Sequence, residues 1–323
     1  MHISGLNNYA LTSCVAAAML AGCGGSQPPL GAPRAMQQSR AIARDGDRGR
    51  SWMLPEARGR DLLYVSSSAY QYSDVYVYTF PGVKLVGGIV VGSNASGLCT
   101  NDSGDVFVTG AYTVYEYRHA QARRAAAISD PLGADSCSIN PTNGDLAVAG
   151  IGGLAVFRHG KGFHWHLGRL YSFNMNGGSS CAYDGAGNLF FDGTLSASSS
   201  LQQLFVELPS DGKQLENVTL NVTLTTPGNL AWDGKYLAVG DKDNLLIHRF
   251  AIRGRRGTQI GKLSLSGMQE VRQFWIQGRI LIGPAFESNW LFGLWPYPGG
   301  GSATSSTPQD EASGATVSVA ARR

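Results

Sequence analysis

The 323-residue chain has a net charge of +3, 15% charged and 43% hydrophobic residues, and 43 glycines. So small a positive balance excludes a nucleic-acid binder built on a basic field. The apolar and aromatic content excludes an intrinsically disordered chain, and no apolar run reaches the ~18 residues of a transmembrane helix.

The first element in chain order is a short apolar stretch over Ala10-Leu11 and residues 15–21. It has the length of a signal-peptide core rather than a membrane span. It ends in Leu20-Ala21-Gly22-Cys23. That tetrapeptide resembles the bacterial lipobox, in which small residues precede a cysteine that receives lipid. The resemblance implies a signal peptide over residues 1–22 and a lipidated Cys23 as the mature N-terminus. It also implies an exported protein anchored at the cell envelope, on the periplasmic or the outer surface. A cleaved signal peptide followed by a chance cysteine is the competing reading. One departure stands out: only His2, and no Lys or Arg, precedes the apolar stretch.

Residues 23–50 are rich in Gly, Pro, Gln, Ala and Arg and show no strand or helix period. They read as a flexible tether. Arg34, Arg40, Arg44, Arg48 and Arg50 make it basic, but Asp45 and Asp47 dilute the charge. A solvated linker is favoured over a headgroup-binding segment.

From residue 51 to 297 a unit repeats. Two apolar runs flank a turn of Asn, Asp and Gly, as in Gly97-LCTNDSGDVFVTG, Ser136-CSINPTNGDLAVAG and Ser180-CAYDGAGNLFFDG. Further copies start at Gly228 and Arg272, and a half-copy at Leu62. The second runs begin at Leu62, Val106, Leu146, Leu189, Tyr236 and Ile280. Steps of about 40–50 residues are the spacing of propeller blades. Each unit continues with an alternating third run, such as Asp74–Phe80 or Thr113–Tyr117, and a looser fourth, such as Lys84–Val91. β-Branched and aromatic residues fill these runs, as strands prefer. Residues 120–128 have helical propensity but are short and isolated.

These observations predict an all-β, six-bladed β-propeller with four-stranded blades. One small sheet cannot cover both its faces, and radial packing covers them. Ser51–Leu54 has the spacing of the missing first strand. The last blade then lacks an outer strand unless the tail supplies one, and five or seven blades stay open. Residues 298–323, rich in Gly, Ser, Thr and Ala, read as a disordered tail, with a short strand conceivable over Ala315–Ala320.

The repeat "apolar–C–x–x–D–x–x–G–D/N–apolar–x–V–x–G" resembles that of NHL-type propellers and of the gluconolactonase–regucalcin group. In the latter, the resemblance implies a divalent cation held at the channel by Glu, Asn and Asp. The weak candidates here are Asn101, Asp102, Asn140, Asp184 and Asp233, with Glu56 and Gln277 beside them. Each has an adequate task as a turn former. His164 and His166 share a strand side and offer two imidazoles, too few for a tight site. Cys99, Cys137 and Cys181 fall on the first strands of three successive units. They are expected as free, buried thiols, with Cys99–Cys137 the only pair worth testing. Tyrosines crowd the first two units, including Tyr112, and core packing accounts for most of them.

The expected function is a non-catalytic binding or scaffold module. It is held to a membrane by its lipid, takes a protein or cell-wall glycan as ligand, and uses no cofactor and no nucleic acid. The alternative is a periplasmic metal-dependent hydrolase or lactonase. It requires three or more of the candidate oxygens to meet at one ion.

Overall fold

The computed structural model describes residues 50–67, 74–92, 94–160, 164–196, 201–286, 291–307 and 311–321. The expected signal peptide, Cys23 and the expected tether up to residue 49 lie outside the described residues.

The strand runs fold into six sheets. Blade 1 holds β1 (Trp52–Met53), β2 (Leu62–Ser67), β3 (Asp74–Thr79) and β4 (Leu85–Val90). Blade 2 holds β5 (Ala95–Thr100), β6 (Val106–Gly110), β7 (Thr113–Tyr117) and β8 (Arg124–Ser129). Blade 3 is β9 (Ser136–Ile139), β10 (Leu146–Gly150), β11 (Gly153–His159) and β12 (Trp165–Ser172). Blade 4 is β13 (Ser180–Tyr183), β14 (Leu189–Ser196), β15 (Leu201–Leu208) and β16 (Glu216–Asn217). Blade 5 takes β17 (Thr219–Leu220) as an added outer strand. Its body is β18 (Pro227–Trp232), β19 (Leu237–Asp241), β20 (Leu246–Arg253) and β21 (Arg256–Ser264). Blade 6 is β22 (Trp275–Gln277), β23 (Ile280–Phe286), β24 (Leu291–Pro296) and β25 (Ser305–Thr307). The last strand, β26 (Ala312–Ser318), returns to blade 1. Five of the six second strands begin at the residue the repeat indicates, and β19 begins one later, at Leu237.

The inner strands touch in the order β26, β5, β9, β13, β18, β22 and back to β26. That is a closed ring. The buried apolar residues confirm it by sorting into six layers, each between two neighbouring blades. On β6, Val106 and Val108 join the layer facing blade 1, and Phe107 the layer facing blade 3. Phe292 and Leu294 of blade 6 pack with Leu63, Val65 and Val317 of blade 1, completing the circle. Alternation along each strand therefore feeds two layers rather than one face of core and one of solvent.

Two expectations need correction. The C-terminal segment is not a disordered tail. β25 completes blade 6, and β26 pairs with β2 as the innermost strand of blade 1, buried along its whole length. Its small residues are what the axis requires: a Cβ on Gly314 would collide with Gln273 and the Ser96 carbonyl. Ser51–Leu54 is not the first strand. Trp52 and Met53 pair with Gly88 and Gly87 at the outer edge, making blade 1 five-stranded. A side chain at either glycine would strike Trp52 or Met53. Arg124–Ser129, whose helical propensity is short and isolated, is strand β8, because pairing with β7 outweighs local propensity.

Candidate functional site

In blades 2 to 6 the turn from the inner to the second strand lies on one face of the ring. This face carries the sequence candidates. Asn101 Oδ1 accepts the Asp105 amide at 2.8 Å, and its Nδ2 donates to the Asp105 carboxylate. Asn140 Oδ1 accepts the amide and hydroxyl of Thr142. Asp184 accepts the amides of Ala186 and Asn188 and the Asn188 side-chain amide. Each therefore bonds its own turn. Asp102 is exposed at a turn tip, and Glu56 pairs with Lys84 at the outer edge.

Asp233 is held hardest. Its Oδ1 accepts the amides of Lys235 and Tyr236. Its Oδ2 takes the Tyr297 hydroxyl at 2.7 Å and Arg249 Nη2 at 2.8 Å. Burial works to raise its pKa, but the bonds from Tyr297, Arg249 and the two amides outweigh it and hold the carboxyl below the usual range. Arg249 also lies over the rings of Tyr236 and Tyr297. The cluster fastens blade 5 to blade 6.

His164 and His166 flank Trp165 and are both exposed. Among the described residues, no group of three or more His, Cys, Asp or Glu side chains is placed to share a metal ion. Trp165 turns inward instead. Its Nε1 donates to Glu116 at 2.9 Å, and its ring meets Phe107 edge-on. Glu116 is buried, and burial pushes its pKa up. With Asp105, Arg118 and His159 it lines a groove of about 490 Å³ between blades 2 and 3. Sequence reasoning missed Glu116, because an acidic residue between two tyrosines in a strand reads as outward-facing.

At the axis, the same face opens into a cavity of about 230 Å³. Its walls are Ile139, Pro141, Tyr183, Trp232, Trp275 and Ile276. Amides close the floor. Gln273 reaches across to β5, accepting the Leu98 amide at 2.8 Å and donating to its carbonyl at 2.6 Å. Asn229 donates to the Phe274 and Leu230 carbonyls and accepts from Ser180 Oγ.

The three cysteines also line this cavity, and here the expectation of free thiols is overturned for two. Cys99 and Cys137 form a disulfide, with Cα atoms 5.7 Å apart. They are not at equivalent positions. Thr100 pairs with Val106 and Ile139 with Leu146 at the starts of the two second strands. Cys99 lies one residue before its reference and Cys137 two before its own. One step reverses the side a strand residue faces, so the two sulfurs meet in the layer between blades 2 and 3. Cys181 is free and buried, and desolvation raises its pKa far above that of an ordinary thiol.

No protein-family model matches the chain, and no curated protein matches it. Solved structures do. A nidogen/laminin complex aligns with a TM-score of 0.61 at 12% identity, covering 82% of this chain and 100% of the other. A putative 6-phosphogluconolactonase from Bacteroides fragilis NCTC 9343 gives 0.57 at 11% identity, covering 80% and 98%. A regucalcin described as calcium-binding, from Agrobacterium tumefaciens str. C58, gives 0.50 at 12% identity, covering 68% and 76%. At such identities the likeness is one of fold.

Proposed function

We propose that the chain is an exported, lipid-anchored propeller acting as a non-catalytic binding module, with the channel mouth as its ligand site. One observation carries this reading: the mouth presents aromatic and aliphatic walls, while the oxygens around it bond their own turns. A hard cation needs several free oxygens at one point. Pockets that hold ligands are usually apolar with a few placed polar groups.

Two further features support the cellular setting. The Cys99–Cys137 bridge suits an oxidising compartment, where disulfides persist. The Gly-, Pro- and Gln-rich composition of residues 23–50 is that of a linker, and a flexible linker of that length would reach roughly 30 Å. That would let a ring anchored at Cys23 meet its ligand close to the membrane.

The second reading is a metal-dependent lactonase, favoured by the fold likeness to the putative 6-phosphogluconolactonase. It needs Asn140, Asp184 and Asp233 to leave their turns. Thermal-shift and turnover assays with Ca²⁺, Zn²⁺ and sugar lactones separate the two. The binding-module reading expects no metal-dependent shift and no hydrolysis. Metal-dependent turnover overturns it.

A further inference from the structure

We infer that the channel mouth takes a small, uncharged, ring-bearing molecule with one hydrogen-bond acceptor directed at Trp232 Nε1. This deepens the binding-module reading and rests on it.

Size comes first. The cavity measures about 230 Å³. A cavity of about 150 Å³ lined by apolar side chains holds benzene, so this one accommodates one ring with a short substituent and not an oligosaccharide. Charge comes second. Asp184 is the one ionisable carboxylate on the wall, and three turn hydrogen bonds occupy it. An anionic ligand would lose its hydration with nothing to pair with, and a cation would have to compete with three turn donors for the Asp184 carboxylate. The Cys99–Cys137 bridge removes two thiols, and the Cys181 thiol stays protonated, so the floor offers no nucleophile.

The polar complement comes third. Trp275 Nε1 donates to Gln277 at 3.3 Å. Among the described residues no hydrogen bond uses Trp232 Nε1. It lies on the Gly185 side of the cavity, 3.6 Å from where a Cβ on that glycine would stand. Gly185 is exposed, and its lack of a side chain leaves the approach to the indole open. An indole N–H is a donor only, so the complementary ligand group is an acceptor such as a hydroxyl or carbonyl oxygen.

The test titrates the protein with p-cresol and benzyl alcohol, and with phenylacetate and benzylamine as charged counterparts. Readouts are tryptophan fluorescence and calorimetry. The expected result is saturable binding of the uncharged pair and about tenfold weaker binding of the charged pair. Gly185→Leu should abolish binding by filling the approach. Trp232→Phe, which keeps the ring and deletes the N–H, should weaken it severalfold at an unchanged melting temperature. Absence of saturation, equal binding of the charged pair, or unchanged binding in both variants overturns the inference. A lactonase result in the metal assay would instead remove the reading beneath it, so the two failures are distinguishable.

Discussion

Cys99 on blade 2 and Cys137 on blade 3 meet because they sit one register step apart, so alternation turns their side chains toward each other across the same layer. Cys137 and Cys181, at equivalent steps, face the same way and do not meet.

The same rule identifies a second linkable pair. Ser138 holds in blade 3 the step that Cys99 holds in blade 2, and its hydroxyl accepts the Tyr183 amide at 3.0 Å. Ser138→Cys should bridge to Cys181 in oxidising conditions. Thiol titration in denaturant should then lose the Cys181 signal until reductant is added. Persistence of that thiol would show the register assignment to be wrong.

Asp192 is 1% exposed, and its carboxylate oxygens make no well-formed hydrogen bond, the Ser180 backbone giving only weak help against burial. Thr109, at the corresponding place in blade 2, binds the backbone of Gly97 and the Asp135 carbonyl. Burial drives the Asp192 pKa well up, and Asp130 is pushed up to about 6 by the same cause. The folded state thus holds protons that the unfolded state releases. Stability is full below the ordinary aspartate range and falls as pH rises through the folded values. Asp192→Asn should flatten that decline and add about 1–3 kcal/mol at pH 8. Urea unfolding at pH 5 and pH 8 measures it, and an unchanged slope contradicts it.

Asp233 works in the opposite sense. Its depressed pKa contributes stability above the ordinary aspartate range, lost as pH falls through the folded value. Tyr297→Phe should cost about 1 kcal/mol at pH 7 and less at pH 3. Equal costs at both pH values would show that Tyr297 acts through packing alone.

Ring closure depends on β26. Its backbone pairs with β2 from Leu62–Ser318 to Ser67–Ala312, and Val317 is 2% exposed in the layer between blades 6 and 1. Truncation after residue 310 should abolish cooperative thermal unfolding. A synthetic peptide covering 311–321 should restore part of it in trans. A truncated chain that melts like the full one would refute closure by this strand.

The blades were legible in the sequence because each repeat writes its strands and turn residues locally, and Val106, Leu146, Leu189 and Ile280 mark the same step in blade after blade. Closure was not legible. β26 lies some 250 residues from its partner β2, and its Ala, Gly and Ser are as common in loops as at a crowded axis. The disulfide escaped because a one-residue register difference is invisible until pairing is known. At the site, Asn140 and Asp184 were read as turn formers and do bond their turns. The cavity walls were not foreseen, since Tyr183, Trp232 and Trp275 come from three blades and converge only in the ring.

Cys23 tests the cellular setting. Cys23→Ser should move the protein from the membrane fraction to the soluble fraction without altering its melting temperature. Retention at the membrane would contradict lipid anchoring.

Elemental analysis of the protein, purified without chelator and compared with Asn140→Ala and Asp184→Ala, tests the binding-module account most directly. The account predicts no stoichiometric divalent cation in any of the three. One cation per chain in the parent, lost in both variants, would contradict it.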